Sequence, residues 1–399
     1  MDFHASRTIL VTCPRGLVDT LRDEIAALGL PIASTQRASV ATEGSLIDCL
    51  RLNLALRTAL HVMYELDEFA CRNPEDLYRH TATLPWEDVV APDGYVSVTS
   101  RVDHPTVNNS MFPSLKVKDA IVDRIAAKHG RRPDAGPKTT GVVVSLYWRG
   151  DRARLYLNTS GAKLADRSYR KIPHRAPMQE TLAAAVVMAT GYDGTVPFIN
   201  PMCGSGTLAI EAALIAQGRP PGALRPMLSL MNVIGFDKGE WNRVRKSMQA
   251  ATTRDVPPII VSDHDEAALE ATRQNACTAG VEQLLTFQHC DFADTAMPDE
   301  PGVVILNPEY GHRMGDVNAL REVYARIGDF FKQRCAGSMA FIFTGNRELA
   351  KHVGLRAEAR TPFYSADLDC RLLRYRMFEG KLDDAPSSPP SSSSQSTNM

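Results

Sequence analysis

The sequence predicts an α/β protein whose C-terminal half is a mostly parallel, doubly wound sheet. Three observations predict it. From Pro177 onward, short apolar runs alternate with helical stretches, the pattern of βαβ units rather than of hairpins. A Gly-x-Gly turn, Gly204-Ser205-Gly206, stands between the first of these runs and an apolar helical stretch. The polar residues that interrupt the pattern fall at the carboxyl ends of consecutive runs, where open α/β sheets gather their ligands.

The elements follow in chain order. Residues 7–12 (RTILVT) read as a strand, and 16–28 (GLVDTLRDEIAAL) as an amphipathic helix with Leu17, Leu21, Ile25 and Leu28 on one face. Residues 45–60 read as a second helix. Residues 113–130 (PSLKVKDAIVDRIAAKHG) read as a helix with Leu115, Ile121, Ile125 and Ala126 inward. Its Lys116, Lys118, Arg124 and Lys128 are mostly outward, and Gly130 is its stop signal. Residues 142–148 (VVVSLYW) and 152–157 (RARLYL) alternate as a hairpin around Arg149-Gly150-Asp151. An Ala-rich helix over 181–190 opens the C-terminal half, and strands are expected at 196–199, 258–261, 285–289, 303–306 and 339–343. The stretch 218–257 is long for a connection and is expected to carry structure of its own. Residues 383–399 (DDAPSSPPSSSSQSTNM) are Ser/Pro-rich without a hydrophobic anchor and are expected to be disordered.

Composition narrows the function classes. The 399 residues suggest two or three domains, and 44% hydrophobic with 23% charged residues is ordinary for a soluble globular protein. No apolar run approaches the roughly 20 residues a bilayer span needs. The N-terminus (MDFHASRTILVTCPRG) has no basic segment followed by an apolar one, so a signal peptide is not expected. The eight cysteines are scattered singly without a CxxC pair, which argues against a zinc site or disulfide framework and for reduced thiols in the cytoplasm. No metal is expected. Net charge is −1, yet residues 101–180 hold 16 Lys and Arg against 7 Asp and Glu. Such a basic block is a candidate nucleic-acid footprint or a solvated face with clustered charge.

Four motifs carry the candidate chemistry. Asn200-Pro201-Met202-Cys203-Gly204-Ser205-Gly206-Thr207 follows the first strand and precedes a helix. A turn of this kind lets a ligand approach the backbone closely. It lacks both the Walker A pattern and the full GxGxxG fingerprint, so phosphate cradling is not indicated. Asp263 ends the next strand, where an acid accepts hydrogen bonds from ribose hydroxyls; Asp265 is its rival, and both could instead be helix-start acids. Asp291-Phe292 follows the third strand. An acceptor beside an aromatic ring suits an adenine, or else is a capping Asp and a core Phe. Asn307-Pro308-Glu309-Tyr310 closes the fourth strand.

In this order, NPMCGSGT, SDHD, CDF and NPEY resemble a class I methyltransferase that uses S-adenosylmethionine. The resemblance is more specific still. HRAPMQETLAAAVV (174–187), NPMCGSGTLAIEAAL (200–214), IFTGNRELAKHVGL (342–355) and DCRLLRYRMFEGKL (369–382) are similar to the THUMP-containing 23S rRNA guanine-N2-methyltransferase family. FPSLKVKDAIVDRI (112–125) and LYLNTSG (155–161) look like the THUMP domain itself. The likeness runs over roughly residues 5–382. It implies a ferredoxin-like region (1–65), a THUMP RNA-binding domain (66–162) and a Rossmann-like class I methyltransferase domain (163–382). Some members carry a second methyltransferase domain, which this sequence is expected to lack.

The resemblance also implies roles. S-adenosylmethionine would lie on Asn200, Met202–Thr207, Asp263, Asp291, Phe292 and Asn307. A flipped-out base would be held by the Asn307 amide and the Pro308 carbonyl, which accept from its exocyclic amine, with Tyr310 stacked on its face. RNA would meet Lys116, Lys118, Arg131, Arg132, Arg167, Arg170 and Lys171, where basic and aromatic residues interleave; a basic linker is the alternative for the last three. Glu211 reads as a helix-surface acid, Phe236 and Trp241 as packing for the long insert, and Cys203 lacks a base that would make it a nucleophile. Two departures stand out. Glu309 replaces the family's second Pro, adding an N–H and a charge; the site tolerates it if the residue points away from the base, which is the favoured reading, and the alternative is a loosened loop with activity reduced or redirected. Asn200 stands where an Asp is common. A tRNA guanine-N2 methyltransferase, an adenine-N6 methyltransferase of DNA or RNA, and a catalytically silent RNA-binding assembly factor are the competing readings.

Overall fold

The computed structural model of the chain describes residues 1–105, 107, 109, 111–173, 177–249, 255–311 and 316–378. Outside the described residues lie the segment 383–399, expected to be disordered; Arg175, read with Arg170 and Lys171 as a phosphate contact or a basic linker; and Arg313, read as a phosphate contact or a surface salt bridge.

The N-terminal part is one eight-stranded sheet. Its strands are β1 (Arg7–Thr12), β2 (Ile32–Gln36), β3 (Ser39–Gly44), β4 (His61–Ala70), β5 (Tyr95–Asp103), β6 (Asp134–Ala135), β7 (Val142–Arg149) and β8 (Arg152–Asn158). They lie in the order β2-β3-β1-β4-β8-β7-β5-β6. Strand β4 pairs with β1 on one side and β8 on the other, and it crosses the boundary drawn at 65/66. The two N-terminal regions are therefore fused edge to edge. Helices α1 (Val18–Ala27), α2 (Leu46–Ala55), α3 (Pro74–Thr83) and α4 (Met111–His129) cover this sheet.

Two expectations here are corrected. The helix over 45–60 stops at Ala55, because Leu56 turns extended (φ −69°, ψ 123°). The Arg57 and Thr58 N–H groups then donate to the Glu24 carboxylate, at 2.6 and 3.1 Å, instead of continuing the helix. In α4, Leu115 is 48% exposed rather than inward. The buried row is Pro113, Val117, Ile121 and Ile125. That i, i+4 spacing leaves a residue two positions from Val117 on the opposite face.

The C-terminal sheet holds β9 (Phe198–Pro201), β10 (Ile259–Asp263), β11 (Leu285–His289), β12 (Val303–Leu306), β13 (Met339–Thr344), β14 (Ala359–Ser365) and β15 (Leu368–Arg376). The order is β11-β10-β9-β12-β13-β15-β14. The first five strands are parallel, and β15 is antiparallel to both neighbours. The mostly parallel, doubly wound expectation holds; the final antiparallel hairpin was not among the expected strands. Helices α5 (Glu180–Ala189), α6 (Thr207–Ala216), α7 (Lys238–Gln249), α8 (Glu266–Ala279) and α9 (Asp316–Arg334) flank it. Strands β9, β10 and β12 are buried at every residue, as expected of parallel strands covered on both faces. Alternate residues serve different cores. Phe198, Val303, Ile305 and Phe341 join the large core, whereas Ile199, Val304, Leu306 and Ile342 pack with Leu320, Tyr324, Ile327 and Phe331 of α9.

The long insert does carry structure. Besides α7, its short turn at Ser229–Asn232 docks on the N-terminal sheet. There Ser229 Oγ accepts from the Val143 N–H and donates to the Gly141 carbonyl, both at 2.9 Å. Trp241 packs into the core.

One titratable group in this region predicts a pH effect. His61, beside Asn158 at 3.3 Å, is pushed down to about 4 by burial first, then by the Lys163 and Arg225 charges. The unfolded chain takes up this proton near pH 6.5 and the folded chain only near 4, so stability falls as pH drops through that window. Thermal melts between pH 7 and 4 should show the midpoint falling, and His61→Gln should flatten the decline. An unchanged slope in the variant would assign the decline to other groups.

Candidate active site

The strand order reverses between β9 and β12, which diverge at this edge and open a crevice. The turn after β9 fills its floor. Met202, Gly204 and Gly206 take left-handed φ of 56°, 58° and 77°, so the chain reverses sharply before α6. Glycine is required at 206, where an added Cβ would stand 2.4 Å from Thr272 Cγ2. At Gly204 the same construction meets nothing within 4 Å, so this side of the turn faces open space.

Neighbouring elements brace the turn. Asp263, at the end of β10, is nearly buried and accepts from the Gly204 N–H at 3.0 Å and the Asp265 N–H at 3.0 Å. Thr272 of α8 donates to the Gly204 carbonyl at 2.8 Å, and Asn275 donates to the Ser205 carbonyl at 3.1 Å. Asp265 caps α8 through the Ala267 N–H. Gly206→Ala meets both the left-handed φ and the Thr272 clash, so a loss of about 2–4 kcal/mol is expected. Urea melts would measure it, and a wild-type midpoint would mean that the turn relaxes freely.

Above the turn lies a cavity of about 460 Å³, within the range of small-molecule sites. Met202, Cys203, Gly204, Ser205 and Thr207 form one wall, Asp263 with its two followers another, and Asn307, Pro308 and Glu309 a third. Met178, Leu208, Leu320 and Val323 supply apolar surface. The structure thus gathers three of the four motifs around one space. Burial pushes the Cys203 thiol up to about 12, consistent with a wall and not a nucleophile.

Other expected cofactor residues are not part of the cavity's lining. Asn200 is 1% exposed, and its amide donates to the Ile305 carbonyl at 2.9 Å, stapling β9 to β12. Gly206 serves the close approach to α8. Asp291 caps a short turn through the Ala293 N–H and pairs with Arg326 at 2.6 Å. Phe292 is 4% exposed and meets Phe330 edge-on. The capping-and-core alternative is the one this geometry fits.

The loop after β12 is held from behind. Tyr310 donates its hydroxyl to Asn307 Oδ1 at 2.7 Å, which fixes the amide's orientation. Asn346 donates to the Tyr310 carbonyl at 2.9 Å. An added Cβ at Gly345 would meet the Tyr310 ring at 3.1 Å. Tyr324 joins Thr344 at 2.7 Å and reaches the Glu309 carbonyl at 3.5 Å. Burial drives the Tyr310 phenol well up, so it stays protonated and a donor. Glu309 is exposed at the cavity mouth.

The cationic residues divide. Lys116 lies 3.7 Å from Glu75 and over the Tyr78 ring; Lys118 pairs with Asp119 at 3.0 Å and Arg132 with Asp123 at 3.2 Å. Arg131 and Lys171 are exposed. Two expectations fail. Arg167 is 1% exposed and paired with Glu211, itself 0% exposed, while Tyr169 donates to the same carboxylate at 2.9 Å. Arg167 therefore cannot reach a phosphate, and Glu211 is not a surface acid. The reason is the chain's path: it sets Arg167 between the Arg57 carbonyl, in the loop before β4, and Glu211 of α6, and the buried charges satisfy each other. Arg170 is likewise occupied, by Glu180 at 2.9 Å and the Met178 carbonyl at 2.6 Å.

Sequence reading missed Thr272, Asn275, Tyr324 and Asn346. A signal existed for the first two, which are polar residues on the buried face of an amphipathic helix. Asn275 also binds the Lys171 and Ile172 N–H groups, at 2.8 and 3.1 Å, tying the interdomain segment to the glycine turn.

Fold and site together define a class I methyltransferase. The chain belongs to the family of RMKL-like methyltransferase domains, which matches residues 167–374; an RlmL ferredoxin-like domain matches 8–63 and a THUMP domain 71–158. Among its relatives is the ribosomal RNA large subunit methyltransferase K/L of Syntrophotalea carbinolica, 35% identical over 95% of this chain and 55% of that protein. The chain thus spans about half the length of the K/L relatives it matches. A Synechocystis protein provisionally named an RNA methyltransferase is 32% identical, over 94% of this chain and 97% of that protein. Among solved structures, SMU.472, provisionally named a methyltransferase and complexed with SAH, is 25% identical, with a TM-score of 0.84 over 96% of this chain and all of that one.

Proposed function

We propose that this protein transfers a methyl group from S-adenosylmethionine to the N2 amine of a guanine in 23S rRNA, in the cytoplasm. In this reading the N-terminal sheet docks the RNA and residues 163–382 do the chemistry. One observation carries it: the glycine turn and the Asn307-Pro308 corner line the same cavity. The cavity suits the cofactor. It offers an open backbone at Gly204, a carboxylate at Asp263, hydroxyls at Ser205 and Thr207, and apolar walls.

Bound S-adenosylmethionine supplies an electrophilic methyl group on a sulfonium. The residues of the chain position the acceptor. Asn307 Oδ1 takes one hydrogen bond from Tyr310 and keeps a second lone pair for the guanine amine. Pro308 presents its carbonyl beside it and no competing N–H. Holding the amine between two acceptors aims its lone pair at the methyl group, and the proton leaves after transfer, so the rate gain is chiefly orientation. The exposed Glu309 lies at the rim, which leaves the two acceptors unobstructed.

The test supplies methyl-labelled S-adenosylmethionine with separate pools of 23S rRNA from cells lacking the enzyme, tRNA and DNA. Products are digested to nucleosides and separated. Label in N2-methylguanosine from 23S rRNA supports the reading. Label in tRNA alone moves the substrate, and label in N6-methyladenine overturns the base assignment.

A further inference from the structure

The N-terminal sheet sends one side chain to the substrate edge of the catalytic sheet. Strand β14 runs parallel to β12 and β13, because both β13 and β14 are antiparallel to β15. Its carboxyl end, Tyr364-Ser365, therefore lies at the same edge as Asn307. In the order β12-β13-β15-β14, Tyr364 stands three strand spacings from the Asn307 loop, about 14 Å across the sheet. The register places Tyr364 beside Asp369, and Arg347, just beyond β13, bonds to that Asp369. The rim between Tyr310 and Tyr364 is thus continuous.

The turn between β1 and α1 closes over this rim. Pro14-Arg15-Gly16-Leu17 is a tight turn with the Leu17 N–H bonded to the Pro14 carbonyl at 3.2 Å and φ +84° at Gly16, as a type II turn requires. Gly16 lies directly on the Tyr364 ring, where a Cβ would stand 2.8 Å from Cδ2. The turn aims Arg15 so that its guanidinium stacks on the same ring, 4.0 Å from the centroid. Arg15 is exposed and makes no ion pair among the described residues. A guanidinium held flat on an aromatic ring keeps its N–H donors free in its own plane, pre-organised for a bidentate anion. Most other arginines of this hairpin are taken: Arg371 pairs with Asp369, and Arg374 and Arg376 with Glu358.

We propose that Arg15, stacked on Tyr364, binds a backbone phosphate of the RNA strand a few nucleotides from the flipped guanine, so that the N-terminal region contributes directly to the substrate groove. This rests on the proposed RNA methyltransferase reading. Arg15 is a positioning residue: it touches the strand and not the reacting atoms.

The test is binding of 23S rRNA to the full chain across a salt series, with methyl transfer measured in parallel. Arg15→Ala should weaken RNA binding about fivefold near 0.1 M salt. It should also reduce the slope of log K against log salt by about 0.7, the value for one single-strand phosphate contact. KM for RNA should rise more than kcat falls. Tyr364→Leu should weaken binding in the same direction, and adding it to Arg15→Ala should cost little more. Arg15→Lys should keep the salt slope and lose part of the affinity. An Arg15→Ala protein with wild-type slope and KM overturns the contact. A wild-type protein that methylates no RNA overturns the proposed function instead. Because the salt slope is read from binding alone, the two failures are distinct.

Discussion

Asn307→Ala should abolish methyl transfer, with a fall in single-turnover rate of about 10²–10³-fold or more, the scale seen when one pre-organised polar contact is removed from an active site. The substitution takes away the side-chain acceptor for the amine and leaves the Tyr310 hydroxyl without its partner. The cofactor wall built by Met202–Ser205 and Asp263 is untouched, so S-adenosylmethionine binding, followed by calorimetry, should change by less than about threefold. Tyr310→Phe separates the two effects. It keeps the ring and removes only the 2.7 Å bond that orients the amide, so a rate loss of roughly tenfold is expected. A fully active Asn307→Ala protein would sink the assignment of the Asn-Pro corner to the acceptor amine.

Glu211→Ala should destabilise the fold by about 3–5 kcal/mol, read as a shift in the denaturant midpoint. Removing one member of a buried ion pair leaves the other charged and unpaired. Here the orphan would be Arg167, 1% exposed, with Tyr169 losing its acceptor as well. The neighbourhood is already crowded with cations. Arg57 is pulled down to about 10, by burial above all and also by the Arg167 charge, although Glu211 works against this. Its guanidinium donates to the Arg219 carbonyl at 2.9 Å. The double variant Arg167→Met/Glu211→Leu should recover most of the loss, since matched apolar groups remove both desolvation penalties. A single variant as stable as the wild type would mean that water enters this junction.

Much of this was legible before the fold was known. The central parallel strands β9, β10 and β12 announced themselves as short, mainly apolar runs because both faces are buried. The glycine turn was legible because left-handed φ and a 2.4 Å approach exclude other residues there. Asn307-Pro308 was legible because polar residues at a strand's end have few structural reasons to cluster. What failed is equally physical. Arg167 and Glu211 look like surface charges in one dimension, and only the packing of the linking segment against α6 makes them partners 44 positions apart. Leu115 reads as inward because it is apolar in a helical pattern with Ile121 and Ile125, although the i, i+4 spacing of Val117, Ile121 and Ile125 puts it on the other face. Asp291 and Phe292 fit two roles equally well on paper; what the structure adds is the capping bond of Asp291 and the burial of Phe292 against Phe330. The antiparallel β14–β15 hairpin escaped notice because its charged outer face breaks the apolar pattern that marked the other strands.

The eight-stranded N-terminal sheet has a consequence for how a target is selected. Strand β4 belongs to both halves of that sheet, and the segment after β8 is pinned by Arg167 on one side and Asn275 on the other. Among the described residues, this route is held at both of those points. For an RNA that grips the far half of the sheet, the distance to the cavity is set like the jaws of a locked caliper. Under the proposed function, choice of nucleotide becomes a matter of measurement as much as of reading: a base is presented for methylation because it arrives at the right span from the grip. Lengthening the 159–179 segment would accordingly shift the mark along the RNA or erase it, and would not broaden it.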